Sequence, residues 1–138
     1  MSDSYCKVCH PKGHLGMLAD EIHDNAAAHG FWDHDRNFGE MIALAHSELS
    51  EALEAHRDRQ IPVWYLHDKD CPRYPWPTAL KPGGCTCVAK PEGVAVELAD
   101  CIIRCLDTMA SLGVDVDQVV RDKMAYNASR PHKHGKAY

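Results

Sequence analysis

The chain has 138 residues, 45% of them hydrophobic and 25% charged, and a formal net charge of -5. That size suits one compact domain rather than two, and an acidic balance without a long basic run disfavours sequence-independent nucleic-acid binding. No window approaches the length of a membrane span and the start, MSDSYCKVCHPKGH, has no apolar signal region, so a cytoplasmic protein without a membrane partner is expected.

Residues 1–14 read as irregular, with Cys6, Cys9, Pro11 and Gly13. A first helix is predicted from about Leu15 to His29, with Gly30 as its stop. The link GFWDHDRN leads to a longer second helix, from near Asn37 to near Arg59. Met41, Leu44, Ala45, Leu49, Ala52 and Leu53 form its apolar stripe. Residues 61–92 differ in kind: Pro62, Pro72, Pro75, Pro77, Pro82, Pro91, Gly83 and Gly84 break any helical period. This stretch reads as a loop insertion between the second and third main helices, with VWYL at 63–66 as its strongest strand signal. A third helix is predicted from about Glu92 to Leu112, before Gly113. Asp115 then caps a fourth helix, with Gln118 completing a capping box, and that helix runs to about Ser129. A basic tail covers 131–138. The expected class is all-α, one domain over 1–138.

Two acidic pairs stand out, Glu48 with Glu51 in HSELSEALEAHR and Glu97 with Asp100 in VAVELADCIIRCLD. Spacing of i, i+3 puts each pair on one helix face. Either pair alone suits a solvated face. Four acids at matched spacing, beside apolar stripes, point instead to cations that offset their repulsion. Glu97, Asp100, Arg104 and Asp107 form one line, flanked by Val94, Leu98, Cys101, Ile102 and Leu106, and Asp107 is expected to bond Arg104 or a lysine. All-oxygen ligands suit Mg²⁺ or Mn²⁺ better than zinc. Di-iron bundles need Glu-x-x-His pairs, which these motifs lack. Three His-Asp dipeptides, at 23–24, 34–35 and 67–68, would suit a His-Asp phosphohydrolase but leave the third-helix acids unused.

Glu48-x-x-Glu51 followed by Glu97-x-x-Asp100 resembles the metal signature of the MazG-like, all-α nucleoside triphosphate pyrophosphohydrolases. GFWDHDRNFGEMIALAHSELSEALEA, PEGVAVELADCIIRCLD and the tail KMAYNASRPHKHGKAY are similar to the small single-domain branch, so the resemblance covers roughly 17–60 and 91–138. It implies a four-helix bundle assembling as a homodimer or homotetramer. It also implies Mg²⁺ on Glu48, Glu51, Glu97 and Asp100, and hydrolysis of a (deoxy)nucleoside triphosphate to the monophosphate and pyrophosphate. The family usually joins the two motifs by a shorter segment, and Ser47 and Val96 stand where some relatives carry a further Glu.

Within that frame Glu48 and Glu51 are the catalytic candidates, with Glu51 as acceptor of the attacking water's proton. Lys123, Asn127 and Arg130 share a face of the fourth helix and suit phosphate, with Lys133 and Lys136 of the tail closing over it; on their own they also read as a solvated basic face. Tyr126 beside them could be core. Trp32 and Asn37 are the base-binding candidates, by stacking and edge recognition, and His46 reads as a packed or supporting histidine.

Seven cysteines are many for a reducing compartment. Cys101 and Cys105 read as buried core thiols. Cys6-x-x-Cys9 with Cys85-x-Cys87 has zinc-ligand spacing and would staple the N-terminus to the insertion. The alternative set is His67, Cys71, Cys85 and Cys87, within the insertion alone. CKVCH also matches a haem attachment string, which the missing export signal disfavours. The competing functional reading is a non-catalytic, zinc-stapled helical module that binds a partner or senses nucleotides.

Overall fold

The computed structural model describes residues 13–71, 77–78 and 87–132. These form four helices and a two-stranded sheet, in the order α1 (His14–Ala28), α2 (Phe38–Arg57), β1 (Trp64–Leu66), β2 (Lys90–Glu92), α3 (Val94–Ser111) and α4 (Val116–Ser129). The protein is mostly helical, as expected.

The helix ends follow local chemistry. The Asn37 side chain accepts the Glu40 N–H and caps α2; Asp115 accepts the Gln118 N–H and caps α4. The expected capping box is only half made, because the Gln118 side chain donates forward to Asp122 at 2.7 Å. Gly30 and Gly113 stop α1 and α3 in the left-handed region, with φ of 81° and 68°. The backbone N–H of Gly16 in α1 donates to Asp117 of α4 at 2.8 Å, so α4 supplies an acceptor to the first turn of α1.

Residues 61–92 are more than a loop. β1 pairs antiparallel with β2 in the register Trp64 with Glu92, Tyr65 with Pro91 and Leu66 with Lys90. On the other edge of β1, the Tyr65 N–H donates to the Thr78 carbonyl at 2.8 Å and the Thr78 N–H returns to Tyr65 at 3.0 Å. This explains how a proline sits in β2. The backbone groups of Tyr65 point towards Thr78, so Pro91 occupies a position where no N–H is required. The strand KPE carries no period-2 or β-branched signal, which is why a helix beginning at Glu92 was expected where α3 begins at Val94.

The described residues fall into two compact units, those within 1–35 and 106–138 and those within 36–105. In the first, α1 packs on α4 around Ala19, Leu106 and Val116, with Ile22, Met109, Ala110 and Val120 at the margin. In the second, Met41, Ala52 and Ala55 are the buried apolar side chains of α2. Much of the expected stripe is exposed: Leu49 and Leu53 on α2, Leu98 and Ile102 on α3. Cys101 is half-buried and Cys105 exposed, so the pair is not a core element.

Gly93 sets the entry into α3. Its φ is 110°, and a Cβ there would lie 2.6 Å from the Ile61 carbonyl oxygen and 2.8 Å from that of Pro62. The close approach lets the Pro62 carbonyl accept the Ala95 N–H at 3.0 Å. Gly113 has positive φ but open space around it. Gly93→Ala should therefore cost about 1–3 kcal/mol through backbone strain and clash, and clearly more than Gly113→Ala. Denaturant unfolding of the two variants checks this; equal losses would contradict the close-approach account.

Candidate metal centre

Met41, Glu48, Ala52 and Ala55 recur at steps of seven, four and three, so α2 carries Glu48 on its buried face. Glu48 is 5% exposed. A carboxylate taken from water needs a partner, and Arg104 Nε donates to Glu48 Oε1 at 2.5 Å. Arg104 lies one helical turn beyond Asp100 and two beyond Glu97 on α3. The same face therefore brings three acids together: one carboxylate oxygen each from Glu48, Glu97 and Asp100 lie within 4.8 Å of one another.

The fourth acid, Glu51, is exposed on α2 but close enough to Glu97 to act on it. Burial, then the charge of Glu51, then those of Asp100, Glu92 and Glu48 push the Glu97 carboxyl above its ordinary pKa. Burial and then Glu48 push Asp100 up as well, while Arg104 and Lys90 pull it back. Three crowded carboxylates around one point, two of them resisting ionisation, form a hard-oxygen donor set suited to a divalent cation such as Mg²⁺ or Mn²⁺.

Beside this cluster lies a cleft of about 300 Å³. Its walls are Glu51, Glu54 and Ala55 from α2, with the C-cap Asp58 and Gln60 just beyond, Trp64 from β1, Glu92 from β2 and Glu97 from α3. The Trp64 indole N–H donates to Gln60 Oε1 at 3.1 Å. Lys90 pairs with Glu92 at 2.5 Å, and its ammonium pKa is raised first by that bond and then by Glu92, Glu97 and Asp100 nearby. Trp64, Lys90 and Glu92 were not among the expected site residues. Trp64 had a usable signal as the aromatic of VWYL just after the acidic helix; Lys90 and Glu92 flank a proline and had none.

Other expected residues do different work. Asp107 does not reach for Arg104 or a lysine. It is buried in the first unit, bonded to His23 Nδ1 at 2.7 Å and accepting the Trp32 indole N–H at 3.0 Å. Trp32 also meets His23 edge-on at 4.8 Å, and Asn37 is the α2 cap, so both base-binding candidates have structural jobs. His46 is exposed rather than packed. Lys123 and Asn127 are exposed on α4, in the first unit; Lys123 and Arg130 lie 5.2 and 6.0 Å from the Tyr126 ring, which is exposed and not core. Cys6, Cys9, Cys85, Lys133 and Lys136 lie outside the described residues.

Comparison with family models, curated proteins and solved structures finds no match to this chain.

Two outcomes follow from the acid cluster. A carboxyl whose folded pKa is raised takes up a proton before its unfolded counterpart, so stability falls as pH rises through the window between the two. Metal-free protein should thus gain a stabilising contribution from Glu97 and Asp100 as pH is lowered from neutral into that window. Mg²⁺ should flatten the dependence, and the Glu97→Gln/Asp100→Asn variant should lack it; thermal midpoints against pH, with and without Mg²⁺, test both points. Arg104→Met leaves Glu48 buried without its guanidinium and should cost about 1–3 kcal/mol in chelator. The loss should shrink in Mg²⁺; an equal loss in both media would mean that the cluster takes no cation.

Proposed function

We propose that the protein is a metal-dependent nucleoside triphosphate pyrophosphohydrolase of the MazG-like type. The observation that carries the reading is the convergence of Glu48, Glu97 and Asp100, with Glu51 against Glu97, at the edge of a cleft walled by Trp64. Acids at these four positions are what the resemblance requires, and their crowding gives it a physical reason. A cleft lined by carboxylates repels a bare triphosphate and accepts one as its metal complex.

Glu48, Glu97 and Asp100 would hold Mg²⁺ or Mn²⁺, which when bound neutralises phosphate charge and favours in-line displacement. Glu51, exposed on the cleft wall, accepts the proton of the attacking water. The water oxygen bonds to the α-phosphorus, the bond from that phosphorus to the bridging oxygen breaks, and pyrophosphate leaves. Trp64 offers a ring face for the base in place of Trp32, with Gln60 as an edge-reading amide. Lys90, close enough to Glu97 and Asp100 to feel their charge, is a second cation at the site beside Arg104. Lys123 and Asn127 on α4 and its C-cap Arg130 remain phosphate-binding candidates on the sequence resemblance alone.

Assembly as a homodimer or homotetramer is part of this reading. Leu49, Leu53, Leu98 and Ile102 are exposed along α2 and α3, and burying such side chains against a second copy would be favourable by roughly 1.5–3 kcal/mol each when complete. A second reading, a non-catalytic zinc-stapled module, draws on the His67, Cys71 and Cys87 cluster in the insertion.

Incubation with a panel of ribo- and deoxyribonucleoside triphosphates and Mg²⁺ should release pyrophosphate and the matching monophosphate. Glu51→Gln should lower kcat by about 10²- to 10⁴-fold, the range for loss of a general base. Glu48→Gln and Asp100→Asn should abolish the Mg²⁺ dependence together with turnover. No pyrophosphate from any triphosphate, by protein with intact helical circular dichroism, would sink the catalytic reading in favour of the module.

A further inference from the structure

We infer that the insertion between α2 and α3 holds a zinc ion on His67, Cys71 and Cys87, separate from the carboxylate centre. One ligand atom from each of these residues lies within 4.8 Å of the others. His67 and Cys71 are 6% and 5% exposed, and Cys87 is half-buried. Soft sulfur and imidazole donors at this density select zinc over the hard cations that suit Glu48, Glu97 and Asp100.

Two geometric details are compatible with metal ligation. His67 Nδ1 lies 3.3 Å from Cys87 Sγ. Ordinary zinc–nitrogen and zinc–sulfur bond lengths at a tetrahedral angle put two such ligands about 3.5 Å apart. The other ring nitrogen, Nε2, faces the Thr78 hydroxyl at 3.4 Å. A metal-ligating histidine characteristically gives its remaining ring N–H to such an acceptor, which fixes the tautomer and leaves Nδ1 for the ion. A water or another donor completes the tetrahedron.

The position of the cluster assigns it a task. His67 directly follows β1, and Cys87 lies shortly before β2. An ion joining them closes a loop twenty residues apart in sequence at the end of the two-stranded ladder. Thr78, which pairs with the free edge of β1, also supports the histidine. Zinc thus replaces the hydrophobic core that such a short sheet lacks.

The test is metal analysis of the full-length chain, purified reduced and without chelator. About one zinc per chain is expected, as is its loss from Cys71→Ser and from Cys87→Ser, while the Cys6→Ser/Cys9→Ser variant keeps it. Cobalt in place of zinc should give thiolate charge-transfer bands and intense tetrahedral d–d bands that weaken in each single variant. Should those variants fold poorly, wild-type protein treated with a zinc-selective chelator should lose its zinc and show a lower thermal midpoint, and Glu48→Gln should respond identically. Less than about half an equivalent of zinc would overturn the inference. So would a Cys71–Cys87 disulfide in the native protein, or zinc kept by Cys71→Ser and lost from Cys6→Ser/Cys9→Ser.

Discussion

The arrangement of the second unit depends on what is done with the charge of Glu48. This carboxylate is carried inward on the same face of α2 as Met41, Ala52 and Ala55, where an unpartnered anion would be costly. Arg104 answers it from α3. Because Arg104 shares a helix face with Asp100 and Glu97, the pairing that satisfies Glu48 also draws two further acids to the same point. One guanidinium cannot balance three carboxylates. Burial first, and the residual repulsion after it, raise the Glu97 and Asp100 carboxyls above their ordinary range. A fold organised for stability alone would have placed an apolar residue at 48; a buried acid with a surplus of like charge around it is the arrangement on which the proposed cation site rests.

The small sheet matters because it places the remaining cleft wall. Trp64 and Glu92 are a register pair, so the residues opposite one another across β1 and β2 both face the cleft that Glu51 and Glu97 border. Register is set by backbone rather than side-chain chemistry here. Tyr65 turns its backbone groups to Thr78, which frees the opposite position for Pro91. Gly93 then permits the tight turn against Ile61 and Pro62 that starts α3 one residue later. The strand end and the helix start are thereby tied together, and Glu97 enters the site from the first turn of α3.

Legibility in the sequence followed the range of the interactions. The four helices, the Asn37 and Asp115 ends and the Gly30 and Gly113 stops are decided within one turn of chain, and spacing and cap chemistry expose them. The i, i+3 acids were legible for the same reason. The partner of Arg104 was not, because Asp107 three residues on was the local choice while Glu48, fifty-six positions away, is the actual one. Trp32 and Asn37 looked available for a base because residue type alone does not reveal that Asp107 and the Glu40 N–H already engage them. Leu49, Leu53, Leu98 and Ile102 fit a helical stripe, yet periodicity only says that a face is apolar and not what covers it. β2 was hidden because Lys90, Pro91 and Glu92 carry no strand signal of their own and form a strand only through their pairing with the distant β1.

The two donor sets in the second unit obey opposite chemistry, and this bears on how the insertion acts. Carboxylates on two rigid helices suit a hard cation that exchanges with substrate and solvent. Imidazole and thiols around a short ladder suit a soft ion held as structure. The ladder has two ends. At one, Trp64 and Glu92 reach the cleft; at the other, Leu66 and Lys90 lead to His67 and back towards Cys87. Three register pairs have little strength of their own. Whatever holds the His67 end therefore holds the Trp64 end, and the ring that would meet a base is positioned from the far side of the insertion. A proline-rich segment between the two helices that carry the acids is then a constructed wall of the cleft, and its unusual residues are the means by which so short a sheet keeps its shape.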